Sequence, residues 1–245
     1  MSAALGLPGA VQAADATTLD HSGFDLAFAD PVRRSGAGRS FRVEDWEPSW
    51  EWVEGLLRRD ACVKVAPGIP HSLFPAGVEG EWVSDHGEVK EAALWAGQTA
   101  TVARRATVIG AGGLASITDE DDPGAEAVGV RGIGAFLYEP DGAVIRAGLV
   151  TAVAAGVQGG LLDPKIAYVA SDGAFHSPFA RGYRVIEKLP YREKQLRAAL
   201  RERGIGRLTI KKRGVDVSPE ELRKRLLLRG DGEATLVLTR VAGEG

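Results

Sequence analysis

The chain has 245 residues, 44% of them hydrophobic, with 30 Lys and Arg against 33 Asp and Glu and a formal net charge of −3. That composition belongs to an ordinary globular protein of one large domain or two modest ones. No apolar run reaches the eighteen residues of a membrane span, and the single cysteine, Cys62, excludes an internal disulfide and fits a reducing compartment, so the chain reads as cytoplasmic.

The charge is unevenly placed. Up to residue 178 there are 13 Lys and Arg against 24 Asp and Glu; from Phe179 to Arg240 there are 17 against 8. Such a split marks two units with different partners, and the basic tail is the one suited to a polyanion. Val11-Gln12-Ala13 resembles a signal cleavage site, but no Lys or Arg precedes Arg33 and Gly6, Pro8 and Gly9 interrupt the apolar stretch, so a secretory signal is rejected.

In chain order, Ala10 to Ala14 reads as a short strand and Phe24 to Ala29 as a second, fully buried one that stops at Asp30-Pro31. Between Glu47 and Arg59, Trp50, Val53, Leu56 and Leu57 fall at helical spacing behind Pro48. Cys62 to Ala66 is a third buried strand, closed by Pro67-Gly68; Cys62 itself reads as packing, not as a reactive thiol. Strand, helix, strand at these lengths implies a parallel crossover. Gly80 to Asp85 and Glu88 to Trp95 then flank His86-Gly87 as an antiparallel hairpin. Thr101 to Ile109 is a further strand, and Phe136 to Tyr138 with Val144 to Gly156 suggests a strand leading into a helix. The tail reads β-α-β-α-β: Tyr183 to Ile186, Arg192 to Arg203, Arg207 to Lys211, Pro219 to Leu228 and Ala234 to Thr239. Ser218-Pro219-Glu220-Glu221 is a strong helix start, with a capping serine, a proline in the first turn and a glutamate three residues on.

Two acidic positions follow successive strands, Asp15-Ala16 and Asp30-Pro31. In an open α/β sheet ligands bind at the carboxyl ends of the strands. A lone Asp after a strand is more often a turn residue or helix cap; the pair, with a helix and a strand following, is more specific. This arrangement resembles a class I S-adenosylmethionine-dependent methyltransferase. The resemblance implies that Asp15 and Ala16 lie beside the cofactor's adenine and that Asp30 and Pro31 line the methyl-transfer pocket. Arg33 and Arg34, with Arg39 and Arg42, flank the Gly-containing loop Ser35 to Ser40 and can meet a phosphate-bearing substrate or simply face solvent.

The tail carries a second likeness. Ser177-Pro178-Phe179-Ala180-Arg181-Gly182-Tyr183-Arg184-Val185, the run Gly204 to Asp216, and Leu226-Leu227-Leu228-Arg229-Gly230 together resemble the THUMP-like domain at the carboxyl end of some bacterial methyltransferases. Asp30-Pro31-Val32-Arg33-Arg34 and Lys64-Val65-Ala66-Pro67-Gly68-Ile69 resemble the catalytic half of the same proteins. True THUMP domains bind RNA, so the likeness implies a structured RNA or another nucleotide substrate, with Lys211, Lys212 and Arg213, and with them Arg223, Lys224, Arg225 and Arg229, as phosphate contacts or as cations that merely face solvent.

The expected fold class is therefore α/β. The carboxyl-terminal part of a Rossmann-like methyltransferase sheet (1–98) is followed by connecting strands and a helix (99–168) and a small α+β THUMP-like domain (169–242). The family's first strand, its glycine-rich loop and its ribose-holding acid belong upstream of Asp15, where fewer than fifteen residues stand. The chain then reads as truncated, weak or silent toward S-adenosylmethionine and inactive alone. Two rivals stay open: a non-catalytic RNA-binding protein that keeps the basic tail, and a subunit whose missing strands come from another chain. Val108-Ile109-Gly110-Ala111-Gly112-Gly113 mimics a dinucleotide glycine loop, but the acidic stretch Ser116 to Pro123 after it suits neither a helix nor a pyrophosphate. His21, His71, His86 and His176 are scattered, and no metal site is expected.

Overall fold

The computed structural model describes residues 9, 11–32, 34, 35, 38, 39 and 46–242, and it divides into two compact units. The first comprises residues up to Glu81 together with Glu91–Ala103; the second comprises Trp82–Lys90 and Arg104 onward.

In the first unit, β1 (Ala27–Ala29) pairs in parallel with β2 (Ala61–Val65), joined through helix α1 (Trp50–Leu56). Ser49 caps α1 by accepting from Trp52 N, and the helix buries Val53 and Leu56, with Leu57 just beyond, as the spacing requires. β2 is apolar because it is covered: Ala61, Cys62, Val63 and Val65 are buried and only Lys64 reaches solvent. Next come β3 (Glu79–Asp85) and β4 (Glu88–Ala96), joined at His86-Gly87. Both turn residues have positive φ, 50° and 82°, as a two-residue hairpin with the sheet's twist demands. β4, not β3, lies against β2 and is antiparallel to it, so the order is β1–β2–β4–β3.

Two expectations fail here. Val11 to Ala14 is not a strand, Val11 is 94% exposed, and Ala10 lies outside the described residues. Phe24 to Ala29 is extended only from Ala27 and is not buried: Phe24, Leu26 and Phe28 are 67%, 49% and 68% exposed. The reason is common to both. Among the described residues β1 has one neighbour, β2, and nothing pairs on its other side.

The second unit begins with the outer ends of β3 and β4 and the hairpin β5 (Arg104–Gly110) to β6 (Gly113–Thr118). A four-stranded antiparallel sheet follows, built from β7 (Phe136–Pro140), β8 (Gly160–Asp163), β9 (Ile166–Ser171) and β10 (Ala180–Arg184) in the order β8–β9–β7–β10. The single helix expected over 144–156 is two, α2 (Gly142–Ala147) and α3 (Val150–Gly156), because Gly148 turns left-handed between them at φ 71°.

The tail folds as α4 (Glu193–Glu202), β11 (Ile205–Arg213), α5 (Pro219–Leu226) and β12 (Gly232–Thr239), with β11 parallel to β12. Leu196 and Leu200 of α4, Leu222 and Leu226 of α5, Leu208 and Ile210 of β11 and Leu238 of β12 form its core. Ser218 caps α5 through Glu221 N, and Pro219 opens the first turn, as the sequence indicates. One strand is displaced. The stretch around Tyr183 does not join β11 and β12; it is β10, paired to β7 with Tyr183 opposite Leu137. On the other face, Val237 and Val241 pack against Leu137, Leu162, Ile166 and Tyr168.

Candidate active site and basic surface

Because β1 and β2 run parallel, their carboxyl ends share one edge, and Asp30 stands there. Arg59 fixes the approach by donating to the carbonyls of His21 and Phe24, and Ala27 N donates to Asp60 O at 3.1 Å. Lys64 Nζ lies 3.4 Å from Asp30 Oδ2 and 3.0 Å from Glu91 Oε2, so one ammonium sits between two carboxylates. Glu91, by hydrogen bond and by charge, and then Asp30 raise the Lys64 pKa above the ordinary lysine value. Pro31 is buried and Val32 forms an isolated bridge with Glu47. Sequence reasoning gave Lys64 no role, although a lone charge inside Ala-Cys-Val-Lys-Val was a legible signal. Arg33 lies outside the described residues. For Arg34 only the backbone is described, paired with Arg39.

Asp15 Oδ1 accepts from Thr17 N at 2.9 Å and from Thr17 Oγ1 at 2.7 Å, opening the single 3-10 turn Ala16–Thr18. Those two bonds, side chain first, hold its carboxyl below the usual range. Asp15 is exposed and Ala16 half-buried; no hydrogen bond or ion pair joins Asp15 to Asp30. The capping role is thus occupied at one oxygen only, and Oδ2 remains available to a donor.

Strand alternation splits the basic run of β11. Lys211 and Arg213 turn to one side, where Glu139 of β7 meets them at 2.5 and 3.6 Å; Tyr183 also donates to Glu139, at 3.2 Å. Arg213 lies over the Tyr168 ring and Lys211 over the Tyr183 ring, at 5.1 and 5.8 Å. Lys212 points the other way and is exposed. Glu139 carried no local signal, because its partners Tyr183 and Lys211 are 44 and 72 residues away in sequence.

Gly110 to Gly113 is the tight end of the β5–β6 hairpin, and a strand follows it, not the helix a dinucleotide loop needs. Among the described residues no group of His, Cys, Asp and Glu is arranged to hold a metal ion, and no helix is long and apolar enough to cross a membrane.

Two parallel strands followed by an inserted antiparallel hairpin strand make a mixed α/β sheet, and comparison with known proteins shows what it is similar to. Residues 180–245 match the family described as THUMP domain-like. Over 220 residues the chain is 39% identical to an S-adenosylmethionine-dependent methyltransferase of Mycobacterium tuberculosis, named as uncharacterized in strains CDC 1551 and H37Rv alike. That match covers 86% of this chain and 59% of the relative, so the chain spans about three fifths of the curated relatives' length. A crystal structure of a candidate methyltransferase from Porphyromonas gingivalis W83 superposes with a TM-score of 0.68 at 26% identity, covering 89% of this chain and 57% of that one. The chain is therefore similar in sequence and in fold to S-adenosylmethionine-dependent methyltransferases, and the α/β class with a THUMP-like end stands.

Proposed function

We propose that this chain is the acceptor-side portion of a class I S-adenosylmethionine-dependent methyltransferase acting on RNA. One observation carries the reading: the order β1–β2–β4–β3 with Asp30-Pro31 at the carboxyl end of β1. The relatives' names favour this over a purely RNA-binding protein.

Asp30 and Pro31 would line the acceptor pocket. Lys64 holds the Asp30 carboxylate in place, where it can orient an amine nucleophile or receive its proton. Asp15, through its free Oδ2, would accept from the adenine amine, with Ala16 beside the adenine. S-adenosylmethionine brings an already activated methyl sulfonium, so the protein's task is alignment of donor and acceptor. Arg33 and Arg34 of the first unit and, separately, Lys212 of the second are proposed phosphate contacts; Lys211 and Arg213 are held by Glu139. The division into 1–98, 99–168 and 169–242 and a cytoplasmic location belong to the same proposal.

Ligand-observed saturation-transfer NMR with S-adenosylhomocysteine tests it. Transfer should concentrate on the adenine protons and vanish in Asp15→Ala. Transfer centred on the methionine protons, or indifferent to Asp15→Ala, would contradict the assignment.

A further inference from the structure

The 17 Lys and Arg between Phe179 and Arg240 are not equivalent once folded. Arg197, Arg203, Arg207, Lys211, Arg213, Arg225 and Arg240 face carboxylates. Arg201 and Arg223 donate to the backbone carbonyls of Leu227 and Leu208. The cations left without an acidic or carbonyl partner are Arg181, Arg184, Lys188, Arg192, Lys194, Lys212, Lys224 and Arg229. Most of these lie in one stretch, from Arg181 in β10 to Lys194 at the start of α4, and all five there are exposed.

That stretch has two further properties. From Val185 to Arg192 it forms neither helix nor strand, so its cations project from extended or irregular backbone. It also exposes large apolar groups that fill no core, Tyr191 at 61% and Ile186 at 78%. Arg181 lies over the Tyr183 ring at 5.7 Å; cations free of carboxylate and carbonyl partners every few residues, with an exposed aromatic among them, are what a single-stranded nucleic acid needs. The cations neutralise successive phosphates, and the ring stacks on a base.

We infer that the segment 181–194 is the surface on which single-stranded RNA is held, with Arg184, Lys188 and Arg192 on phosphates and Tyr191 stacked on a base. This rests on the RNA reading above. It moves the main contact away from the β11 run, where Lys211 and Arg213 are neutralised by Glu139.

The experiment is fluorescence anisotropy of the 245-residue chain with labelled oligouridine of about 12 nucleotides, titrated over a range of salt. The five cations of the segment contribute about −3.5 to the slope of log K against log salt for a single strand. The triple variant Arg184→Ala, Lys188→Ala, Arg192→Ala should make the slope less negative by about 2.1. Tyr191→Ala should weaken binding about tenfold with the slope unchanged. Lys211→Ala with Arg213→Ala should leave the slope as it is. All substituted side chains in the segment are exposed, and an unchanged circular dichroism spectrum and melting temperature establish folding. If wild type binds and the triple variant keeps the full slope, this surface is wrong and the RNA reading survives. If wild type binds no RNA, both fail, while the adenine-proton test of the cofactor edge is untouched. Preference for phosphatidylserine vesicles over the oligomer overturns the inference in favour of a membrane.

Discussion

Lys211 Nζ donates to Glu139 Oε2 at 2.5 Å and so ties β11 to the neighbouring four-stranded sheet. Glu139 is 17% exposed and Lys211 28%, which makes this the least solvated of the tail's carboxylate pairs apart from Arg240 with Asp163. Burial opposes the Lys211 charge; the hydrogen bond and negative charge of Glu139, aided by Tyr183, outweigh it, and the pKa rises above 10.5. A raised lysine pKa stabilises the fold fully below the unfolded value and ceases to do so as pH climbs through the folded one. Glu139→Gln should therefore cost about 2 kcal/mol near neutrality. The gap in melting temperature between wild type and variant should hold from pH 7 to 10 and narrow above 10.5.

Two glycines should respond in opposite directions to alanine. A Cβ on Gly206 would fall inside contact distance of the Gly230 carbonyl, where backbone on both sides leaves no room. Gly206→Ala should destabilise the chain by about 3 kcal/mol in urea unfolding. Gly55, in the exposed part of α1, meets nothing within 4 Å, and Gly55→Ala should stabilise by about 0.5–1 kcal/mol.

Cys62 is 5% exposed in β2. Burial first, then the charges of Glu81 and Glu91, push its thiol up to about 11 from an ordinary 9.0. At pH 8 the thiolate fraction falls about a hundredfold relative to the free side chain. Iodoacetamide labelling followed by mass spectrometry should show that deficit in the native chain and its disappearance in denaturant.

What the sequence disclosed and what it hid have separate causes. The covered strand Ala61–Val65, the His86-Gly87 hairpin and the Ser218 cap were readable because each depends on a handful of neighbouring residues. Phe24 to Ala29 was misread because apolar composition reports what a strand can bury, whereas exposure depends on whether a neighbour is present. Tyr183 was given the wrong sheet, since alternation along a strand says nothing of its pairing partner. The same limit concealed Glu139: three basic residues in a row look equivalent in sequence, and only the fold turns Lys211 and Arg213 inward while Lys212 stays out. At the candidate site, Asp30 was legible as a strand-end acid; Asp15 was read as one too, but residues 11–14 form no strand and Asp15 opens a 3-10 turn, and the partners Thr17 and Lys64 emerge from local turn geometry and strand pairing.

The central claim is that Asp15-Ala16 takes the cofactor's adenine and that Asp30-Pro31, at the carboxyl end of β1, takes the methyl acceptor. Two-dimensional 1H–15N NMR of the labelled 245-residue chain, titrated with S-adenosylhomocysteine, tests it most directly. An affinity near 1 mM corresponds to about −4 kcal/mol and lies within reach of this method. Shifts should gather at Asp15 to Thr17, at Asp30 and Val32, and at Lys64, and leave residues 104–242 unchanged. Shifts confined to the basic tail, or none at these positions at saturating ligand, would contradict the claim.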